Sequence, residues 1–343
     1  MNKTICLTPR VSGVGGMVSF RHKLTMGLAA RGIRVTHDLN DTPFEAVLVI
    51  GGTRNLAGLW RVKRRGVPIV QRLNGMNWLH RKRKTGLRHF LRAESGNFLL
   101  NTIRTRLADH IVYQSRFAQR WWERVYGPTP VPSTVIYNGV DLDAYTPDGE
   151  HSRPADRYRV LLVEGSLQGG YEMGLETAVQ LVRSLVITQR LPVELMVAGK
   201  VASELRAHWD ANAPAPIRWA GLVPRERIPK IDRSAHLLYS ADLNAACPNA
   251  VIEALACGLP VLAFDTGALP ELVSPDAGRV VPYGGDPWRL DPPDISALAE
   301  GAREIFDAGK EMRAAARARA RQMFGLEGMV ERYLEAVGRL GGN

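Results

Sequence analysis

The segment of this 343-residue sequence with the clearest chemistry is Cys247-Pro248-Asn249-Ala250-Val251-Ile252-Glu253-Ala254-Leu255-Ala256-Cys257-Gly258-Leu259-Pro260-Val261. Pro248 suits a first helical turn, Gly258 a helix stop and Pro260 the entry to a strand, so the spacing predicts a helix of about ten residues. The N–H groups of Asn249, Ala250 and Val251 then have no partner inside the helix, and with the helix dipole they form an anion site that suits a diphosphate. Glu253 follows Asn249 by one turn and points the same way. A carboxylate there is ill suited to phosphate but can accept two hydrogen bonds from a ribose diol; the alternative is a plain helix-surface carboxylate.

Other candidates are weaker. Gly169-Gly170, inside the glycine-rich stretch Gly165 to Gly174, would let backbone amides approach a phosphate. Lys200, closing the strand-like run from Val193, reads either as a ligand contact or as a surface lysine. Gly15-Gly16 reads as a contact with the donor or the acceptor, or merely as a strand-to-helix turn. Arg72 reads as a cation facing phosphate or as one half of a surface salt bridge, and Trp121-Trp122 as packing rather than a sugar platform. Cys6, Cys247 and Cys257 have no metal-ligand spacing and sit among apolar or small residues, which suits buried reduced thiols. No metal site and no cofactor is expected.

These residues need a scaffold. Thr4–Thr8, a glycine loop, a helical run from Val18 to Ala30 and Ile33–Thr36 give the order strand, loop, helix, strand that starts a doubly wound sheet. Short apolar strands follow at 46–50, 68–73, 111–113 and 134–136. Thr146 to Pro154 lacks apolar periodicity, and then the pattern restarts with strands at 160–163, 193–198, 217–220, 236–239 and 261–264. The reading is therefore a Rossmann-like domain over 1–145, a linker over 146–158, a second Rossmann-like domain over 159–325 and a C-terminal helix over 326–343 packing back on the first. Neither half carries a complete dinucleotide fingerprint.

The formal charge of +11 is concentrated: residues 51–125 hold 17 Lys and Arg against Glu94, Asp109 and Glu123. Within 78–92 the cations alternate with Trp78, Leu87, Phe90 and Leu91, a pattern that fits a solvated surface, a phosphorylated acceptor or peripheral contact with an anionic membrane. No run reaches the length of a membrane-spanning helix and no signal sequence opens the chain, so the expected location is cytoplasmic, with the inner membrane face as a peripheral option. Nucleic acid is a poor fit, since no recognised module is present.

The 247–261 segment resembles the signature of the retaining GT-B glycosyltransferases of family 4 (group 1). The likeness extends through Gly221-Leu222-Val223-Pro224, Asp265 to Val273, Ala277 to Pro282, Asn138-Gly139-Val140-Asp141 and the Gly15-Gly16 turn. It implies an α/β GT-B fold, two Rossmann-like doubly wound domains facing a central cleft. The activity it implies is metal-independent transfer of a sugar, with retention, from a nucleotide-diphosphate sugar to a glycan, lipid-linked or small-molecule acceptor. It places the nucleobase on Leu222 and Val223 and the acceptor near Asn74, the position of a family histidine. The sequence also departs from the family. Ala245 stands where the first of two glutamates belongs, and Ser166 and Met173 stand where an arginine and a lysine neutralise the diphosphate. The alternative these departures raise is an impaired transferase that binds a nucleotide or a partner without turnover.

Overall fold

The computed structural model describes residues 3–13, 15–83, 86–167 and 172–338. The chain divides into two compact units, Met1–Gly139 with Gly325–Asn343, and Val140–Phe324.

The first unit runs β1 (Thr4–Thr8), α1 (Gly16–Ala29), β2 (Arg34–Thr36), β3 (Ala46–Ile50), α2 (Leu56–Arg64), β4 (Ile69–Leu73), α3 (Leu87–Thr102), β5 (His110–Tyr113), α4 (Arg116–Tyr126) and β6 (Ser133–Val135). Its sheet is parallel, ordered β2-β1-β3-β4-β5-β6. Strand alternation sorts side chains onto two covered faces, as a parallel sheet requires. Ile5, Leu7, Leu48, Ile50 and Val70 join Phe20, Leu24 and Leu28 of α1 on one face, while Cys6, Val47, Val49 and Ile69 join Leu59 and Val62 of α2 on the other. Local capping marks the helix ends. Ser115 accepts from the Ala118 N–H at 3.0 Å to start α4, and Gly127, at φ 79°, ends it.

The second unit runs β7 (Tyr158–Ser166), α5 (Met173–Arg183), β8 (Val193–Lys200), α6 (Ser203–Asn212), β9 (Ile217–Gly221), α7 (Ile228–Arg233), β10 (Leu237–Ser240), α8 (Asn249–Ala256), β11 (Val261–Phe264), α9 (Leu269–Leu272), β12 (Gly278–Val281) and α10 (Ile295–Met323). Its parallel sheet has the order β12-β11-β10-β7-β8-β9. The expected fold of two α/β units on doubly wound parallel sheets is present, six strands in each. The last helix, α11 (Leu326–Gly338), belongs to the first unit and lies on α1. Phe20 and Tyr333 meet with centroids 5.1 Å apart, Arg31 pairs with Glu327 at 2.6 Å, and a Cβ on Gly27 would sit 2.4 Å from a Val330 methyl. The absence of a side chain at Gly27 is what lets the two helices approach.

The boundary falls at Gly139/Val140, earlier than the reading of the sequence puts it, and the stretch expected as a linker belongs to the second unit. Arg233 donates to the carbonyls of Thr146 and Glu150 at 3.0 and 3.1 Å, and Ser234 Oγ accepts from the Ser152 N–H at 2.9 Å. That stretch is held by carbonyl-to-arginine bonds, which leave no trace in hydrophobic periodicity.

Candidate functional site

In an open α/β sheet, ligands bind outside the carboxyl ends of the strands where the winding reverses. In the second unit that point lies between β7 and β10. The loop after β10 leads into α8, eight residues long, whose Pro248 cap has extended backbone and contributes no side-chain hydrogen bond; its first turn holds no acid. Asn249 and Ala250 are half-buried, Val251 is buried, and Glu253 is half-buried one turn further on. The sequence sets this up: Pro248 supplies no N–H and fixes the chain just outside the helix, and Gly258 (φ 65°) ends it.

Glu253 has acidic company. Asp232 of α7 is buried; its carboxyl is raised well above the usual range by loss of water and then by the Glu253 charge, while a hydrogen bond with Cys257 opposes the shift. Burial first, and the Glu253 charge second, also raise the Tyr145 hydroxyl. Glu253 is therefore the half-exposed member of a group whose other acid is buried and has its carboxyl raised.

Ala245 is buried, and its carbonyl accepts from the Ala268 N–H at 2.8 Å. Gly267 (φ 62°) passes so close that a Cβ on it would lie 2.5 Å from the Ala245 nitrogen. Ser166 and Lys200 are register partners at the carboxyl ends of β7 and β8, both exposed, beside an irregularity between Val163 and Ser166. Gly199 (φ 152°) fits there because a Cβ would meet the Glu164 carbonyl at 2.2 Å. Leu222 is exposed and Val223 half-buried just after β9. Gly169 and Gly170 lie outside the described residues. Met173 opens α5.

Two carboxylates that the reading of the sequence passed over belong to this edge. Glu164, near the end of β7, and Asp242, just past β10, flank the reversal point. Loss of water, and then the Asp242 charge, push the Glu164 carboxyl up to about 8; desolvation pushes Asp242 to about 6. Only the strand order makes them neighbours, since in sequence β8 and β9 lie between them.

In the first unit the reversal lies between β1 and β3. Gly15 (φ 132°) and Gly16 open α1 in an exposed position, without a side-chain cap. Gly51 at the end of β3 is close to Met17 and Asn74, since a Cβ there would lie 3.4 Å from Met17 Sδ and 3.8 Å from Asn74 Oδ1. Asn74 is half-buried, and its carbonyl accepts from the buried Trp122 indole at 2.7 Å, the packing role expected of that tryptophan.

Arg72 requires a correction, because it is a core residue and neither a solvent-facing cation nor half of a surface salt bridge. It is 1% exposed and lies 3.8 Å over the Phe20 ring. Nη2 donates to Asn138 Oδ1 at 2.9 Å. The Gln114 oxygen, with its amide turned to satisfy both groups, accepts from Nη1 at 2.8 Å and Nη2 at 2.6 Å. On a central strand covered on both faces, alternation places Arg72 on the side of Val70, beneath α1.

All three cysteines are free and buried, and burial raises the Cys6 thiol to about 12. Among the described residues no three His, Cys, Asp or Glu side chains gather as metal ligands, and no helix is long and apolar enough to cross a membrane.

Residues 158–307 match the family model "Glycosyl transferases group 1" and residues 39–144 match "Glycosyltransferase Family 4". D-inositol 3-phosphate glycosyltransferase 1 of Catenulispora acidiphila is 28% identical over 204 residues, 52% of this chain and 48% of that protein. D-inositol 3-phosphate glycosyltransferase of Jonesia denitrificans is 28% identical over 176 residues, 46% and 41%. The matched stretch thus spans about half the length of these curated relatives. Among solved structures, sucrose-phosphate synthase from Thermosynechococcus elongatus superposes with TM-score 0.76 at 16% identity over 99% of both chains. Anabaena HepE in complex with UDP and glucose gives 0.70 at 15% identity over 99% and 100%. The fold is that of these GT-B structures, and the two glycosyltransferase family matches follow one another along the chain, the first mostly in the first unit and the second within the second.

Proposed function

We propose that this protein transfers a sugar from a nucleotide-diphosphate sugar to a hydroxyl acceptor, with retention of configuration. The observation that carries the donor half is the uncapped start of α8 beside the strand reversal, with Glu253 one turn further on. Backbone N–H groups of Asn249, Ala250 and Val251 would hold the diphosphate, Glu253 the ribose diol, and the chain at Leu222 and Val223 the base. Ser166 and Lys200, adjacent at the ends of β7 and β8, would reach the outer phosphate, so that Lys200 supplies a side-chain cation. In this reading the leaving diphosphate is stabilised by fixed amides and a lysine, with no divalent ion or resident cofactor, and its oxygen takes the acceptor proton. Ala245 leaves that face of the donor sugar without a carboxylate contact. Asn74 is assigned to the acceptor side, for a glycan, lipid-linked or small-molecule hydroxyl.

Two of the similar structures hold UDP with glucose, or UDP-glucose, which makes uridine nucleotides the first to try. The test is thermal unfolding against UDP, GDP, ADP, their monophosphates and their sugars. A ligand at a hundred times its Kd adds about 2.7 kcal/mol, a rise of a few degrees in the midpoint. A selective shift with one diphosphate is the expected result, and a product anomer matching the donor's would support retention. No shift with any nucleotide at millimolar concentration would overturn the donor reading.

A further inference from the structure

We propose that the exposed face of α3 docks on an anionic lipid bilayer. Four of the ten exposed large apolar side chains among the described residues lie on this one helix: Leu87 (73% exposed), Phe90 (39%), Leu91 (59%) and Phe98 (67%). Leu87, Leu91 and Phe98 are spaced i, i+4, i+11, which aligns them in one stripe, while Ala93 and Asn97 turn to the protein. Arg88 and Arg92, also one turn apart and exposed, run along the stripe, and the exposed Lys82 precedes it. Every residue from Gly86 to Arg92 is exposed.

The acid on α3 does not oppose this charge. Glu94 is held by Arg81, at 2.5 and 2.7 Å, and by His80 at 2.8 Å. These bonds, Arg81 first, lower its carboxyl to about 2. His80 is itself buried, in edge contact with Phe90. Residues 79–81 therefore act as an anchor for α3, and the apolar contact moves from the 78–92 segment suggested by the sequence to Leu87 through Phe98.

The combination selects the occupant. A helix lying in a bilayer interface buries an apolar stripe below the headgroups while flanking cations meet anionic phosphates. A nucleic acid would use the cations and leave the Leu87 and Leu91 stripe unused. This inference goes beyond the nucleotide-sugar reading and stands apart from it: vesicle binding is measured without donor, and the nucleotide-induced midpoint shift is measured without lipid.

Flotation of the full chain with phosphatidylcholine vesicles, with and without phosphatidylglycerol, tests it. We expect binding to the anionic vesicles that is at least about tenfold tighter than to neutral ones and weakens as salt rises. The variant Leu87→Ser/Leu91→Ser/Phe98→Ser should lose about tenfold or more in partitioning with its unfolding midpoint unchanged, because the three side chains are exposed. Arg88→Glu/Arg92→Glu should lose the preference for anionic lipid. No binding to anionic vesicles, equal partitioning of the triple variant and the parent, or retention on nucleic acid in place of vesicles would each overturn the proposal.

Discussion

The carboxyl edges of the two sheets arise from the same winding rule yet hold opposite chemistry. In the first unit, the strand-end cation flagged from the sequence, Arg72, is absorbed into the core between Phe20, Asn138 and Gln114. In the second, the strand-end cation Lys200 is exposed next to Ser166, and two acids that drew no notice, Glu164 and Asp242, flank the reversal point. A charged residue at a strand end is thus assigned by the face it alternates onto and by what covers that face. Its type does not decide the matter.

The sharpest way to break this comparison is to remove the two cations in turn. Arg72→Ala should cost about 3 kcal/mol, since it leaves the Asn138 and Gln114 oxygens buried without their donor; denaturant unfolding reads this. Lys200→Ala should move stability by no more than about 0.5 kcal/mol and instead weaken nucleoside-diphosphate binding. A stable Arg72→Ala protein with lost ligand affinity would reverse the assignment. On the donor side, Glu253→Ala should weaken the binding of whichever diphosphate shifts the midpoint by about tenfold, by loss of charge-assisted hydrogen bonds to the ribose. Calorimetric titration measures it, and unaltered affinity would return Glu253 to a structural role. Gly27→Ala probes the first unit's close α1–α11 approach, where overpacking against Val330 should cost about 1 kcal/mol or more in thermal unfolding.

The last prediction is one of pH. A carboxyl raised to about 8 keeps its proton in the folded protein across a range where the unfolded chain, with an ordinary value of 4.5, has lost it. The folded state then binds more protons, so Glu164 makes stability fall as pH rises from about 4.5 to 8. Glu164→Gln should flatten that slope. It should also remove any weakening of diphosphate binding above pH 8, where a Glu164 carboxylate would face the ligand. Identical pH profiles for the variant and parent would show that the acid pair does not govern this edge.

Much of the architecture is legible locally. Ile69–Leu73 emerges from an apolar run, α4 from Ser115 and Gly127, and α8 from Pro248 and Gly258, though α8 is eight residues and shorter than the spacing suggests. The break between α10 and α11 also falls where Phe324-Gly325 interrupts the helical pattern. Thr146 to Pro154 misled because its anchors, Arg233 and Ser234, lie some eighty residues on and act through backbone carbonyls and an amide N–H. On α3 the sequence showed cations among apolar residues, but not that Glu94 is tied to Arg81 and His80 or that Leu87, Leu91 and Phe98 share an uncovered stripe.

By itself the sequence determined the two successive strand-and-helix windings, the free helix start at Asn249 with Glu253 on its face, and the concentration of positive charge in the first half. These depend on short-range spacing, which the backbone periods convert directly into local structure. Only the tertiary structure decided that Arg72 is buried, that Glu164 and Asp242 flank one reversal point, and that one side of α3 is left uncovered. Each of those is a contact, or a missing contact, between segments far apart in the chain. Which strand lies beside which, and which face a helix covers, is settled by the packing of the whole unit.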